Sequence, residues 1–309
     1  MSRVHNLLLV ILSLLVSCCF PLTCSAQNVS QEWRSIYLNP ANWTDGPELE
    51  NSPMNKSIVG QAVVQITVSY VPEHGASRTE GVIIIELFEN WVPITTSNMI
   101  SLIESAFFDG IFFHRVIDDF VAQSGDPTCT TVGVYPSTSP TCGSGGSDET
   151  IPLEHDVNMS HVDGAIGMAR DVDPDSASSQ WYLCDGPQHN LDPENRDDGG
   201  YATWGIVRDG MLHVRAIAST PTSNAPLGGD IIQIPPGPDR PAYEIKIVSM
   251  EMIGVIGDPL LFELSSTPNS SSLFISSVQI TTFILVLAAC VGASWMASSS
   301  NREDNQEIV

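Results

Sequence analysis

The stretch Phe113-His114-Arg115-Val116-Ile117-Asp118-Asp119-Phe120-Val121-Ala122-Gln123-Ser124-Gly125-Asp126 (FHRVIDDFVAQSGD) decides the reading of this chain. Its first part completes an apolar, β-branched run over residues 111–116, which reads as a short strand. Taken alone, an arginine after Phe-His is more often a surface or salt-bridge residue than a catalytic one, so the surroundings have to decide. Upstream, Val63, Val64, Ile66 and Val68 begin a β-rich run that ends near Pro72, and a turn at 74–80 leads into the apolar strand GVIIIELF at 81–88. Residues 95–105 read as a helix, with Met99, Ile100, Leu102 and Ile103 on one side and Pro93 and Gly110 near its boundaries. Downstream, short strands are predicted near 164–169, 180–183, 202–207 and 242–252, with a second helix at 211–218. Many short strands and few helices predict a closed antiparallel barrel rather than alternating βαβ units.

The chain has 309 residues and a formal net charge of −24, with lysine only at Lys56 and Lys246. Nucleic-acid affinity rests on Lys and Arg neutralising phosphate, so this balance argues against a nucleic-acid partner. The acidity reads as a solvated surface. At the N-terminus, Arg3, the apolar run 7–16 and Cys24-Ser25-Ala26 make the three parts of a signal peptide over 1–26. Leu15-Val16-Ser17-Cys18 also resembles a lipoprotein cleavage box. Residues 273–296 carry no charge and are long enough for one membrane-spanning helix. The polar tail 297–309 that follows argues against a lipid-anchor signal. The signal then sets the orientation: a single-pass membrane protein, its main domain extracytoplasmic, its tail cytoplasmic. Residues 27–57 form a polar leader with Asn-x-Ser/Thr sequons at Asn28, Asn42 and Asn55, irregular or packed on the main domain at 58–253, and 254–272 form a stalk.

Cysteine use agrees with an oxidising compartment. Cys129 and Cys142 bracket a Thr/Ser/Pro/Gly-rich loop and are expected to close a disulfide, worth about 3 kcal/mol in the chain-entropy model. Cys184 sits in an apolar run and reads as a buried, inert thiol. No C-x-x-C occurs, so zinc-ribbon and redox motifs are unsupported. Asp171-Val172-Asp173-Pro174-Asp175 imitates the start of a calcium loop, but Ser176 and Tyr182 stand where Gly and Glu are required. The glycine run at 143–146 precedes neither Lys-Ser/Thr nor a helix and reads as a linker, not a phosphate cradle. No metal and no cofactor are expected.

Four motifs in order resemble the cyclophilin family of peptidyl-prolyl cis–trans isomerases. They are Gly81…Glu86-Leu87-Phe88…Val92-Pro93…Thr95…Asn98; the opening stretch 113–126; Gly164-Ala165-Ile166-Gly167-Met168-Ala169-Arg170 with Ser178-Ser179-Gln180-Trp181-Tyr182-Leu183; and Tyr201-Ala202-Thr203-Trp204-Gly205-Ile206-Val207. The resemblance covers roughly 190 residues and implies a mainly β fold: a closed eight-stranded antiparallel barrel capped by two helices, here with the C-terminal transmembrane helix added. It also implies proline-containing polypeptides as partners and a monomeric domain.

Rotation about an X–Pro bond makes and breaks no covalent bond, so it needs no nucleophile, metal or general base. Its barrier of about 20 kcal/mol falls if the site favours the twisted amide over both planar forms. The twisted nitrogen can accept a hydrogen bond, and a fixed cation beside it acts mainly in the transition state. A thousandfold gain needs only about 4 kcal/mol. The resemblance implies Arg115 as that cation and Gln123 as the amide orienting it and contacting the substrate backbone. It implies Phe120, Val121, Tyr182 and Leu191 as the proline pocket, with Tyr201 beside it, and Gln180 and the backbone of Ala169 and Arg170 as the peptide groove. His114 reads as structural, since no proton moves. Val121 replaces the usual Met, Tyr182 the usual Phe, Tyr201 the usual His and Ser124 a small residue, and Asn190 falls near a usual Trp or Phe. These departures predict isomerase activity with weak cyclosporin binding. They also leave open a second reading, a proline-peptide binding or tethering module without turnover; a purely structural surface protein is a third.

Overall fold

A computed structural model describes residues 31–73, 75–223 and 238–266. The expected elements recur with small shifts at their ends: β2 (Ala62–Tyr70), β3 (Thr79–Leu87), α1 (Pro93–Glu104), β4 (Arg115–Ile117), β6 (Ala165–Met168), β7 (Trp181–Cys184), β8 (Thr203–Asp209), α2 (Met211–Ala218) and β9 (Lys246–Ile256). Two strands are additional: β1 (Tyr37–Leu38) inside the leader, and β5 (Val121–Ser124) inside the opening stretch.

The closed eight-stranded antiparallel barrel is corrected. The strands form one open sheet of nine, in the order β1-β9-β2-β3-β8-β6-β7-β5-β4, and β1 pairs with β9 in parallel. The reason lies at the seam. β4 has only three residues, and the segment before it meets β9 through scattered bonds rather than a ladder. Gly110 donates to the Ile247 carbonyl at 2.9 Å and Phe113 to that of Ile245 at 2.9 Å, with a single bridge between Phe112 and Lys246. Among the described residues no helix is long and apolar enough to cross a membrane. The span expected at 273–296, the signal segment at 1–26 and the tail at 297–309 lie outside the described residues. A third helix, α3 (Pro259–Ser266), belongs to a separate unit beginning at Asp258.

Alternation along the strands sorts side chains to two faces. Val64, Ile66 and Val68 of β2, Ile83, Ile85 and Leu87 of β3, and Trp204 of β8 enter the main core. Met99, Ile100 and Ile103 of α1 and Val214 and Ile217 of α2 cover it from the helices. The opposite faces of β2, β3 and β9 give Val63, Ile84 and Ile256 to a smaller cluster, over which Leu38 and Trp43 of the leader pack. The leader is thus built onto the outer face of the sheet, and its Met54 is wholly buried. At the start of α2, Gly210 has φ +90°, and a Cβ there would lie 2.3 Å from the Val82 carbonyl oxygen, so only glycine fits that corner.

Candidate active site

The site is assembled by register. In antiparallel pairs, directly opposite residues project to the same face. Arg115 of β4 lies opposite Gln123 of β5, Gln123 opposite Tyr182 of β7, and Tyr182 opposite Gly167 of β6. Arg115, Gln123, Tyr182 and Gly167 therefore form one row across four strands. Two residues along, Val121, Cys184 and Ala165 extend the same face. The alternate residues Val116, Ala122, Trp181, Leu183 and Ile166 point the other way, into the main core. One short-stranded sheet thus fills the core with one face and carries the site on the other.

Gly167 is required by this row. A Cβ on it would stand 2.5 Å from the Tyr182 ring, so its absence makes the floor on which the ring lies. Tyr182 belongs to a second apolar cluster with Val121, Ala165, Cys184 and Leu191, against which Phe120, Ala169 and Tyr201 pack partly exposed. Six of the sequence-derived positions, Phe120, Val121, Ala169, Tyr182, Leu191 and Tyr201, therefore meet in one place. Asn190, beside them in sequence, is exposed. Tyr201 also borders a cleft of about 460 Å³.

At one side of the cluster stands a polar chain. Gln180 donates to the Gly145 carbonyl at 2.6 Å, and Gln123 donates to the Gln180 amide oxygen at 2.9 Å. Arg115 reaches the Gln123 oxygen at 3.5 Å and Asp239 at 3.5 Å, with its guanidinium 5.8 Å from the centre of the Phe120 ring. Both polar contacts are long, so the guanidinium is oriented without being saturated. The ion pair with Asp239 was not foreseen from the sequence. The two residues are far apart along the chain, and the Val116 N–H to Asp239 carbonyl bond of 3.0 Å brings them together.

Three neighbours complete the geometry. His114 is buried, and burial, with Arg240 and Arg115 nearby, lowers its pKa to about 4, so it is neutral and unsuited to proton chemistry at neutral pH. Burial would raise the Asp126 carboxyl, but N–H groups of Gly145, Thr128 and Gly143 outweigh it and hold the group below the usual carboxylate range. The glycine run read as a linker is thus tied down, with Gly143 and Gly145 donating to Asp126 at 2.7 and 2.8 Å. A disulfide joins Cys129 to Cys142 in the same loop, and Cys184 is free and buried, its thiol pushed well above its usual range by burial. The Ala169 N–H bonds the Gln180 carbonyl at 3.0 Å. The Arg170 side chain holds Gly200 and Asp198 carbonyls at 2.9 Å each, with its guanidinium 4.7 Å from the Tyr201 ring centre.

Residues 74–252, more than half of the chain, match the family model described as "Cyclophilin type peptidyl-prolyl cis-trans isomerase/CLD". The chain belongs to this family. A peptidyl-prolyl cis-trans isomerase of Acinetobacter baylyi is 31% identical over 172 residues, 56% of this chain and 80% of the relative. The peptidyl-prolyl cis-trans isomerase-like 1 of Neurospora crassa is 29% identical over 178 residues, 57% and 90% of the two chains. A crystal structure of a Cryptosporidium parvum cyclophilin type isomerase aligns with TM-score 0.46 and 20% identity, over 62% of this chain and 97% of that one. This cyclophilin is accordingly a peptidyl-prolyl cis–trans isomerase, and it accepts proline-containing peptides.

Proposed function

We propose that Arg115 is the group that lowers the rotation barrier in this cyclophilin, with Gln123 as its partner and the Phe120–Val121–Tyr182–Leu191–Tyr201 cluster as the seat of the proline ring. The observation that carries this is the contact between the two halves: the Gln180–Gln123–Arg115 chain runs into Phe120, a member of the cluster. A pyrrolidine ring in the cluster would set its amide nitrogen toward the guanidinium. Planar amide nitrogen is a poor acceptor, because its lone pair is delocalised, and the twisted nitrogen is a good one. The hydrogen bond from Arg115 therefore strengthens as the bond turns, which is the condition for accelerating rather than merely binding. Gln123 and Gln180, with Ala169 and Arg170 along the groove, hold the flanking backbone.

The natural substrates in this proposal are secreted or membrane polypeptides folding outside the cytoplasm. The signal-like segment at 1–26 and the Cys129–Cys142 disulfide support that setting. The test is turnover of Ala-Pro and Gly-Pro peptides by the full chain beside Arg115→Ala. Turnover reduced about a hundredfold or more is expected, as for loss of one preorganised charged donor; full activity in the variant removes Arg115 from the mechanism.

A further inference from the structure

We infer that His161 and Asp192 are positioning residues of the isomerase site, holding Tyr182 with its hydroxyl proton turned away from the proline-accepting cluster. The inference rests on the assignment of that cluster in the preceding subsection. Tyr182 brings a phenol into a pocket that must receive an apolar ring. An O–H left without an acceptor there would lose its water each time a substrate binds, and an unsatisfied buried donor weakens that binding. The fold supplies the acceptor. The Tyr182 oxygen is 2.8 Å from His161 Nε2, and the two rings lie nearly parallel, 17° apart with centroids 5.8 Å from one another. His161 is wholly buried, and its Nδ1 lies 2.6 Å from Asp192 Oδ1. The same carboxylate oxygen accepts the backbone N–H of His161 at 2.7 Å, while Oδ2 takes the Ser160 hydroxyl and faces His189 Nδ1 at 3.0 Å.

The direction of each bond follows from this arrangement. Burial would raise the Asp192 carboxyl, but the hydrogen bonds from His161 and Ser160 hold it well below the usual range, so it is an ionised acceptor at neutral pH. An ionised carboxylate can only accept, so His161 Nδ1 carries the proton that meets it. The inference assigns the second ring nitrogen, Nε2, as bare, so that it accepts from Tyr182. The proton positions are assigned from the network in this way. Nothing local in the sequence marks this device: the carboxylate lies 31 residues from the imidazole, and Tyr182 reads only as a hydroxyl added to the family's usual ring.

The experiment compares the full chain with Asp192→Asn, Tyr182→Phe and the double variant, resolving kcat from KM on an Ala-Pro peptide, with imidazole nitrogen NMR on the unmodified protein. The expected spectrum shows a neutral His161 with its proton on Nδ1. Asp192→Asn frees the tautomer and should raise KM about tenfold while kcat changes less than about threefold, the pattern of lost uniform binding. Adding Tyr182→Phe should relieve most of that loss, because no hydroxyl remains to be misdirected; packing damage alone would not be relieved. A His161 proton on Nε2 or on both nitrogens, an unchanged KM in folded Asp192→Asn, or a KM loss the double variant retains would each overturn the inference. Should Asp192→Asn not fold, the NMR tautomer decides. Absence of turnover in the unmodified chain would instead sink the catalytic roles of the preceding subsection, and the peptide Kd would then take the place of KM in the same comparisons; a chain that binds no peptide overturns both.

Discussion

At the scale of single residues, the row Arg115, Gln123, Tyr182 and Gly167 is the one to which the proposal above gives the chemistry, and its least conspicuous member is the most constrained. Gly167→Ala puts a methyl group 2.5 Å from the Tyr182 ring, which must swing into the space meant for proline. We expect KM for Ala-Pro peptides to rise about tenfold or more, with the chain still folded by circular dichroism; an unchanged KM would mean that the ring does not bound the pocket. Arg115, Gln123 and the cluster residues were legible as candidates, because a family resemblance transfers positions one by one, and the fold brings six of them together. Asp239, His161 and Asp192 were not. They act through partners distant in sequence, and a lone aspartate or histidine between apolar runs has no periodicity to betray it. The glycine run at 143–146 reads from the sequence as a linker, whereas its Gly143 and Gly145 N–H groups hold one oxygen of Asp126.

At the scale of elements, periodicity located the long strands and both helices that cover the sheet, and boundary chemistry explains the small shifts. Helix α1 begins at Pro93, but its cap comes from elsewhere. Glu154 accepts the N–H groups of Ile94 and Thr95 at 3.2 and 2.8 Å and the Thr95 hydroxyl at 2.9 Å. A carboxylate on first-turn N–H groups that have no partner within the helix also meets the favourable end of the helix dipole. Glu154→Ala should therefore cost about 1–2 kcal/mol in denaturant unfolding, and a loss below about 0.3 kcal/mol would show that solvent replaces the cap. Strands β1 and β5 escaped prediction for opposite reasons. β1 has two residues and exists only because β9 offers an edge; β5 carries Gln and Ser among its apolar residues and lacks the length for alternation to show. The leader containing β1 is more than a spacer. Met54→Ala should lose about 2–4 kcal/mol, as for a fully buried side chain, and a change near zero would separate the leader from the folded unit.

At the scale of the whole molecule, the architecture of short strands and two covering helices was legible, but closure was not, since it depends on how β4 and β9 meet. That seam lies beside His114, whose neighbours Phe113 and Arg115 bond or pair with residues 239–245. Burial holds the folded His114 at about 4, against about 6.5 in the unfolded chain. The unfolded chain therefore binds more protons between those values. The stabilisation is fully present above pH 6.5, is lost as pH falls through that window, and amounts to about 3 kcal/mol. His114→Gln should flatten the stability profile between about pH 4 and 6.5 relative to the unmodified chain; equal slopes in chemical denaturation across that range would remove His114 as the cause.

The central claim, that Arg115 acts on the twisted amide and not on the resting peptide, is tested most directly by measuring turnover and binding of one Ala-Pro peptide by the full chain and by Arg115→Ala. The account predicts turnover about a hundredfold lower with Kd changed by less than about threefold. Loss of binding in proportion to turnover would contradict it, because Arg115 would then be holding the ground state.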